Sequence, residues 1–167
     1  MLTILLLMAS VAYAGAQESS IDLQTVSPGR FFVPKGTPVK LRVVEPISSE
    51  TANVGDRVTF EVIEDVKVDD VLVIPKGSKG EGFVSEARPG RIWGAGRLGI
   101  YVSSVRTRTG VNLPVYTVLE AIGSPSGASV GAVISEGTSI VAATELDVPL
   151  DKTLYAETSY AAQRGQQ

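Results

Sequence analysis

The sequence contains no cysteine and no histidine. Without cysteine, the chain has no disulfide bond, no thiolate metal ligand and no thiol nucleophile. Without histidine, it lacks the commonest general base at neutral pH, the commonest zinc ligand and the usual partner of a catalytic serine. We therefore expect a protein that is not an enzyme, with no catalytic residues, no metal site and no cofactor.

A strong excess of charge of either sign is also lacking. The 167 residues include 15 Lys and Arg against 18 Asp and Glu, which gives a net charge of -3. Proteins that bind nucleic acid through its phosphates usually show a strong basic excess, so we expect no nucleic-acid partner. The length suffices for one domain, and its core must stabilise the fold without disulfide bonds.

The N-terminus carries the features of a signal peptide. An apolar run occupies most of residues 1–16, and no charged residue precedes Glu18. Small-x-small sites predict cleavage after Ala16, with Ala14 as the alternative, although a basic residue near Met1 is lacking. An uncleaved anchor is the other interpretation, but the run is shorter than the about 20 residues of a membrane span. We expect export to the periplasm or the outer membrane, with no transmembrane span after cleavage.

Composition divides the exported part into three segments. Residues 17–32 are polar and turn-rich, which predicts a flexible leader. Residues 33–158 contain the short apolar runs of a β domain, interrupted by a Gly/Ala/Ser-rich loop at 121–135. Residues 159–167 are polar, and we expect a disordered tail.

The β domain shows the period-2 alternation of strands with one buried face. Residues 39–43 and 58–62 alternate apolar with charged or hydroxyl side chains. Asp69 and Asp70 separate two β-branched runs, which predicts a hairpin turn. The pattern predicts an all-β fold, a single small barrel or sandwich of about seven to nine strands. Further strands are expected near residues 83–84, 98–102, 115–119, 140–141 and 154.

A turn sequence recurs along the chain. Val-Pro-Lys-Gly-Thr (33–37) returns as Ile-Pro-Lys-Gly-Ser (74–78) and, more weakly, as Ser-Glu-Gly-Thr (135–138). Proline suits a strand edge, and glycine supplies the positive φ that a tight turn requires. Each copy therefore predicts a turn that leads into a strand.

These turns carry a family resemblance. Pro-Lys-Gly-Thr-Pro-Val (34–39), Ile-Ser-Ser-Glu-Thr-Ala-Asn-Val-Gly-Asp-Arg-Val (47–58) and Val-Ile-Pro-Lys-Gly-Ser (73–78) resemble a pattern of small exported bacterial β-barrel proteins of unassigned function. More distantly, the order of turns and strands is similar to the C-terminal domain of TrbI-class conjugation and type IV secretion proteins. The resemblance covers about half of the chain. It implies a shared β-barrel, whereas residues 115–137 do not resemble a pore-forming pair of amphipathic helices.

Positive charge is concentrated between residues 87 and 110, which contain five arginines and no acid. Arginine together with aromatic residues is typical of surfaces that bind anions, sugars or proteins. We predict a binding site, the Arg/aromatic strip, in which Arg91 and Arg97 contact the ligand while Trp93 and Tyr101 stack on it. The alternative is an ordinary wet strand face with Trp93 folded over the barrel end.

Two other patterns favour structural roles. The string Gly-Ala-Gly-Arg-Leu-Gly (94–99) fits a dinucleotide fingerprint, but a strand and not a helix follows it, so we expect a glycine-rich bend. Five acids between Glu61 and Asp70 match no calcium loop, and we expect them on a solvated face. A carboxylate hydrolase remains the least favoured function.

Two functions follow from these patterns. The first is a non-catalytic cell-envelope module that binds an anionic polymer or a protein through the Arg/aromatic strip. The second is a structural subunit of an envelope or secretion-type assembly. The acidic residues from Glu120 to Glu157 would also allow head-to-tail association with the basic segment of a second copy, giving a homo-oligomer.

Overall fold

The computed structural model describes residues 30–91, 94–123, 131–151 and 153–155. The predicted signal peptide, most of the predicted leader, Trp93 and the predicted tail lie outside these ranges. Within them, no helix has the length and apolar character that a membrane span requires.

The regular structure of the described residues is almost entirely antiparallel β-strand, which confirms the predicted all-β fold. Twelve strands follow one another in the described residues. They are β1 (Arg30–Val33), β2 (Pro38–Val43), β3 (Ile47–Ser48), β4 (Arg57–Val62), β5 (Val66–Val68), β6 (Val71–Ile74), β7 (Lys79–Arg88), β8 (Arg97–Arg106), β9 (Asn112–Ile122), β10 (Val133–Ile134), β11 (Ser139–Thr144) and β12 (Val148–Asp151).

Six of these strands close into an antiparallel barrel. Their order is β11, β2, β4, β7, β8 and β9, and β9 returns to β11. The alternation seen in the sequence decides which side chains face inward, and β2 and β4 bury every second residue. The interior is filled by fully buried apolar side chains, the largest of which are Phe60, Leu41, Ile74, Leu98, Ile100 and Leu113.

The other six strands form three short antiparallel ribbons at the corners of the barrel. The ribbons are β1 with β12, β5 with β6, and β3 with β10. In each ribbon one strand continues through the recurrent turn into a barrel strand, and its partner is the continuation of a neighbouring barrel strand. The Asp69–Asp70 turn closes the β5–β6 ribbon with φ of 48° and 61°, which confirms the predicted hairpin.

The three copies of the turn sequence have the same geometry, so the predicted repeat is confirmed. Gly36, Gly77 and Gly137 have φ of +83°, +85° and +79°, a region that glycine enters without steric cost. Each glycine N–H donates to the last residue of a neighbouring barrel strand, at 2.8 to 2.9 Å. The accepting carbonyls belong to Thr144, Val62 and Val43.

At two of the three corners, a carboxylate accepts a hydrogen bond from a backbone N–H of the recurrent turn. Asp147 accepts a hydrogen bond from the N–H of Lys35 at 2.6 Å, and Asp65 accepts one from the N–H of Lys76 at 2.7 Å. Both carboxylates stand three residues after the end of a barrel strand. Pro46 occupies the corresponding position of the third corner, which is also the copy that lacks the Pro-Lys pair.

We expect Thr144→Val to destabilise the fold at the corner that contains the turn of residues 33–37. Thr144 is 2% exposed; its hydroxyl donates to the carbonyl of Pro34 at 2.6 Å and accepts from the N–H of Thr37 at 2.9 Å. Valine keeps the volume and removes both bonds, which should lower the free energy of unfolding by about 1–2 kcal/mol. Urea unfolding measures the loss, with Thr59→Val on the exposed face of β4 as control; equal stability of both variants would contradict the assignment.

Four boundaries differ from the predictions. Strand β1 begins at Arg30, inside the predicted leader, because Phe31 and Val33 are buried against the core and pair with β12. The predicted loop at 121–135 is shorter at both ends, because β9 extends to Ile122 and β10 pairs with β3. The last strand is β12, and Leu154 lies in a helical turn. The strand count exceeds nine because the short strands of the β1–β12 and β3–β10 ribbons show too little alternation to be recognised.

Candidate functional site

The outer surface of the barrel has two different faces. Outward side chains of β2 form ion pairs, Arg42 with Glu61 on β4 and Lys40 with Glu64 just after β4, both at 2.8 Å. The hydrogen bond to Glu61 raises the pKa of the Arg42 guanidinium above its ordinary value. Exposed pairs of this kind contribute little to stability and are typical of a solvated surface.

The face formed by β7, β8 and β9 carries a group of neighbouring apolar side chains instead. Phe83, Tyr101 and Val118 lie directly opposite one another on these three strands. Tyr116 stands two residues before Val118 on β9, and its ring packs against that of Tyr101 at a centroid distance of 5.3 Å and an angle of 56°. We call these four side chains the aromatic row.

The aromatic row is accessible to solvent. Phe83 is 37% exposed, Tyr116 51% and Val118 44%. Each is the outward member of an alternating strand, since its neighbours in sequence are buried or half-buried. Such a group of neighbouring apolar side chains on a barrel exterior is more than the scattered exposed residues of an ordinary surface.

Charged residues border the aromatic row. Arg57 on β4 lies opposite Phe83, and Glu120 follows Val118 on the outward side of β9. Beside Tyr116, a depression of about 310 Å³ is lined mainly by apolar surface. Its walls are Lys35, Gly36, Tyr116, Ala143, Thr144 and Glu145.

The members of the Arg/aromatic strip lie at different places on and beside the β7–β8 pair. Arg97 pairs across the strands with Arg88, and Arg91 lies in the loop that follows β7. Tyr101 stands four residues from Arg97, about 13 Å along β8, and its ring contacts Tyr116. Trp93 lies outside the described residues, so the strip as one binding site stays a prediction. The other two arginines, Arg106 and Arg108, belong to the opposite end of β8.

Arg88 and Arg97 lie at one end of the β7–β8 pair, and one ion pair forms there among the described residues. Arg88 contacts Glu86 at 3.0 Å, with Arg88 itself 75% exposed. Arginines directly opposite each other on neighbouring strands repel, so Arg88 and Arg97 together form an electropositive point near the end of the β7–β8 pair.

Sequence reasoning missed three of the four members of the aromatic row. Phe83, Tyr116 and Val118 each occupy a strand position where the alternation predicts exposure. The period-2 pattern was the available signal, because a large apolar residue on the wet face of a strand is unusual. Their proximity required the register of β7, β8 and β9, which the sequence does not give.

The acidic residues have structural partners, as predicted for a solvated face. Glu61 and Glu64 pair with cations, Asp65 supports a corner, and Asp69 and Asp70 form a turn. No three of the acidic side chains in the described ranges are close enough to share a metal ion. The Gly94–Gly99 string leads into β8, as expected of a bend before a strand.

Two acids of the C-terminal part, Asp147 and Asp151, accept hydrogen bonds at different places within the chain. Asp147 supports the first corner. Asp151 accepts hydrogen bonds from the hydroxyl and the N–H of Thr153 at 2.6 and 3.0 Å, which lower the pKa of its carboxyl.

Comparison with known proteins gives a similarity among solved structures. No protein-family model matches the sequence, and no curated protein is similar to it. Among solved structures, the chain is similar to ComB10 of the Com type IV secretion system of Helicobacter pylori, with 17% sequence identity and a TM-score of 0.45. The match covers 70% of this chain and 88% of that chain. ComB10 is a component of the kind of system that the turn motifs resemble, but neither a function nor a partner follows from a similarity at this level.

Proposed function

We propose that this chain is a non-catalytic binding module of the bacterial cell envelope that docks a protein partner on its aromatic row. The observation that carries the proposal is the row itself. It is a set of apolar side chains in register across three strands, exposed on one face of a barrel whose other face bears ion pairs.

The composition of this face suits a protein partner. Protein interfaces are enriched in aromatic side chains at their centre and carry polar or charged residues at their rim. The aromatic row supplies such a centre, and Arg57 and Glu120 supply the rim. An anionic polymer would instead require a line of cations, and none of the four side chains of the aromatic row is a cation. A protein partner makes the chain a subunit of an envelope assembly, the second function that the sequence predicts.

The remaining parts of the proposal depend on the sequence. The envelope location follows from the predicted signal peptide and the family resemblance. The non-catalytic character follows from the lack of histidine and cysteine. We propose no cofactor on the same grounds, and no nucleic-acid partner because the chain has no basic excess.

The test replaces two members of the aromatic row. A Phe83→Ser/Tyr116→Ser variant removes the exposed rings of β7 and β9. The matched control, Val54→Ser/Val111→Ser, changes two apolar side chains that are 67% and 44% exposed and lie outside the row. We expect the variant of the row to retain its fold and to bind its envelope partner at least about tenfold more weakly, because truncated interface anchors cost about 2 kcal/mol or more.

Affinity purification from an envelope extract, followed by a binding titration with the purified partner, measures this effect. A third variant, Arg91→Ala/Arg97→Ala, tests the Arg/aromatic strip separately. The proposal requires a partner that the control retains and the variant of the row loses. If only the arginine variant loses the partner, the binding site is the Arg/aromatic strip and not the aromatic row. Equal binding by all variants would contradict both sites.

A further inference from the structure

The barrel is closed by an unusually short ladder between β9 and β11. Only two residue pairs join these strands in the described chain, Tyr116 with Ala143 and Val115 with Thr144. In contrast, β9 pairs with β8 from Asn112 to Ile122. Beyond the two pairs, no described residue pairs with the β11 side of β9 from Thr117 to Ile122. We call this part of β9, together with Ser139–Ala142 of β11, the seam.

Burial shows that the two strands part at the seam. The inward residues Leu113 and Val115, at or before the closing pairs, are fully buried. The next inward residues of β9, Thr117, Leu119 and Ala121, are only half-buried. On β11 the inward Ile140 is half-buried as well, whereas Ala142 is fully buried. The core is therefore less covered along the seam than at the closing pairs.

The free edge of β9 has the properties of a strand-binding site. Every residue of an antiparallel strand has one N–H and one C=O, and alternate residues direct them toward each neighbouring strand. With β8 on one side, the residues that face the other side between Thr117 and Ile122 offer a row of donors and acceptors. An added strand would satisfy them and would cover Leu119, Ala121 and Ile140 with its own apolar side chains.

We propose that the seam binds an extended segment of another polypeptide by strand addition to β9. The segment has apolar residues at alternate positions, which face the half-buried inner side of the seam. Glu120 is exposed on the outward side of β9, so a basic residue at an outward position of the segment completes a cross-strand pair. The seam shares Val118 with the aromatic row, but it binds through the backbone edge of β9, whereas the row binds through its outward side chains.

Two blocked ten-residue peptides test the proposal on the full exported chain. Valine alternates with threonine in both, and one central threonine is replaced by lysine in one peptide and by glutamate in the other. We expect the amides of residues 117–122 that face the seam to exchange faster in the free protein than the alternate amides that are bonded to β8. The lysine peptide should slow their exchange and bind about two- to fivefold more tightly than the glutamate peptide.

Charge reversal identifies the position of the added strand. Glu120→Lys should reverse the preference between the two peptides. Glu81→Lys should leave it unchanged, because Glu81 is an exposed acid on β7, which is paired on both sides. The Phe83→Ser/Tyr116→Ser variant should bind the peptides normally, so failure of the aromatic row and failure of the seam are distinguishable.

Three results would overturn the proposal. The first is slow exchange, in the free protein, of those amides of residues 117–122 that face the seam, which would mean that the chain covers its own edge. The second is no binding of either peptide at the highest soluble concentration. The third is binding with unchanged preference in Glu120→Lys, which would place the peptides elsewhere.

Discussion

Gly82→Ala is expected to lower the free energy of unfolding by about 3 kcal/mol, at the upper end of the range for overpacked cores. Gly82 lies on β7 with its Cα facing the ring of Phe60. A Cβ at this position would overlap the carbonyl oxygen of Tyr101 and lie 2.9 Å from Cε2 of Phe60. The carbonyl belongs to the neighbouring strand β8 and cannot move without breaking the ladder, so relaxation is costly.

Gly94→Ala is the matched control. No atom lies within 4 Å of a Cβ built on Gly94, and its φ is not positive. Its unfolding free energy should stay within about 0.5 kcal/mol of the parent. Urea unfolding followed by far-ultraviolet circular dichroism compares the three proteins. If the two alanine variants are equally stable, the close approach of β7 and β8 at Gly82 is wrong.

Phe60→Ala is expected to cost about 3–5 kcal/mol, the range for removing a fully buried phenylalanine. Phe60 has no exposed surface and is the largest of the fully buried side chains. Its ring lies over the glycines of β7, where a Cβ on Gly80 would come within 3.2 Å of the Phe60 Cβ. No neighbouring side chain from β7 is available to fill the resulting cavity, because both facing residues are glycine.

Phe83→Ala tests the opposite side of the same packing layer. Phe83 follows Gly82 on β7 but faces outward and is 37% exposed. We expect a cost of less than about 1 kcal/mol, from its cross-strand contact with Tyr101. Thermal or urea unfolding of both variants measures the contrast. A larger loss in Phe83→Ala than in Phe60→Ala would mean that the aromatic row is a structural element and not a docking surface.

The sequence predicted the parts of the fold that depend on local chemistry. Alternation placed β2 and β4 correctly because one face of each strand is buried along its whole length. The recurrent turn was predicted correctly because proline and glycine restrict the backbone independently of the rest of the chain. The Asp69–Asp70 hairpin was recognised for the same reason. Asp65 and Asp147 were not recognised as corner ligands, because they bind residues that are distant in sequence.

The aromatic row was not predicted. Tyr101 was singled out, but as a member of the Arg/aromatic strip, which stays a prediction. Its actual neighbours, Phe83 and Tyr116, come from two other strands. A cluster across strands depends on register, and register is set by pairing partners that a single sequence does not reveal.

Residue types and their period along the chain determined the all-β class, the repeated turns and the unsuitability of the chain for histidine- or cysteine-dependent chemistry. Each of these is a local property, fixed by backbone sterics, side-chain alternation or the presence of a functional group. The tertiary structure alone decided that six strands close into a barrel, that the closing ladder has two pairs and that the exposed rings share one face. These features arise from pairing between segments far apart in the chain, whose free energy depends on contacts that exist only after folding.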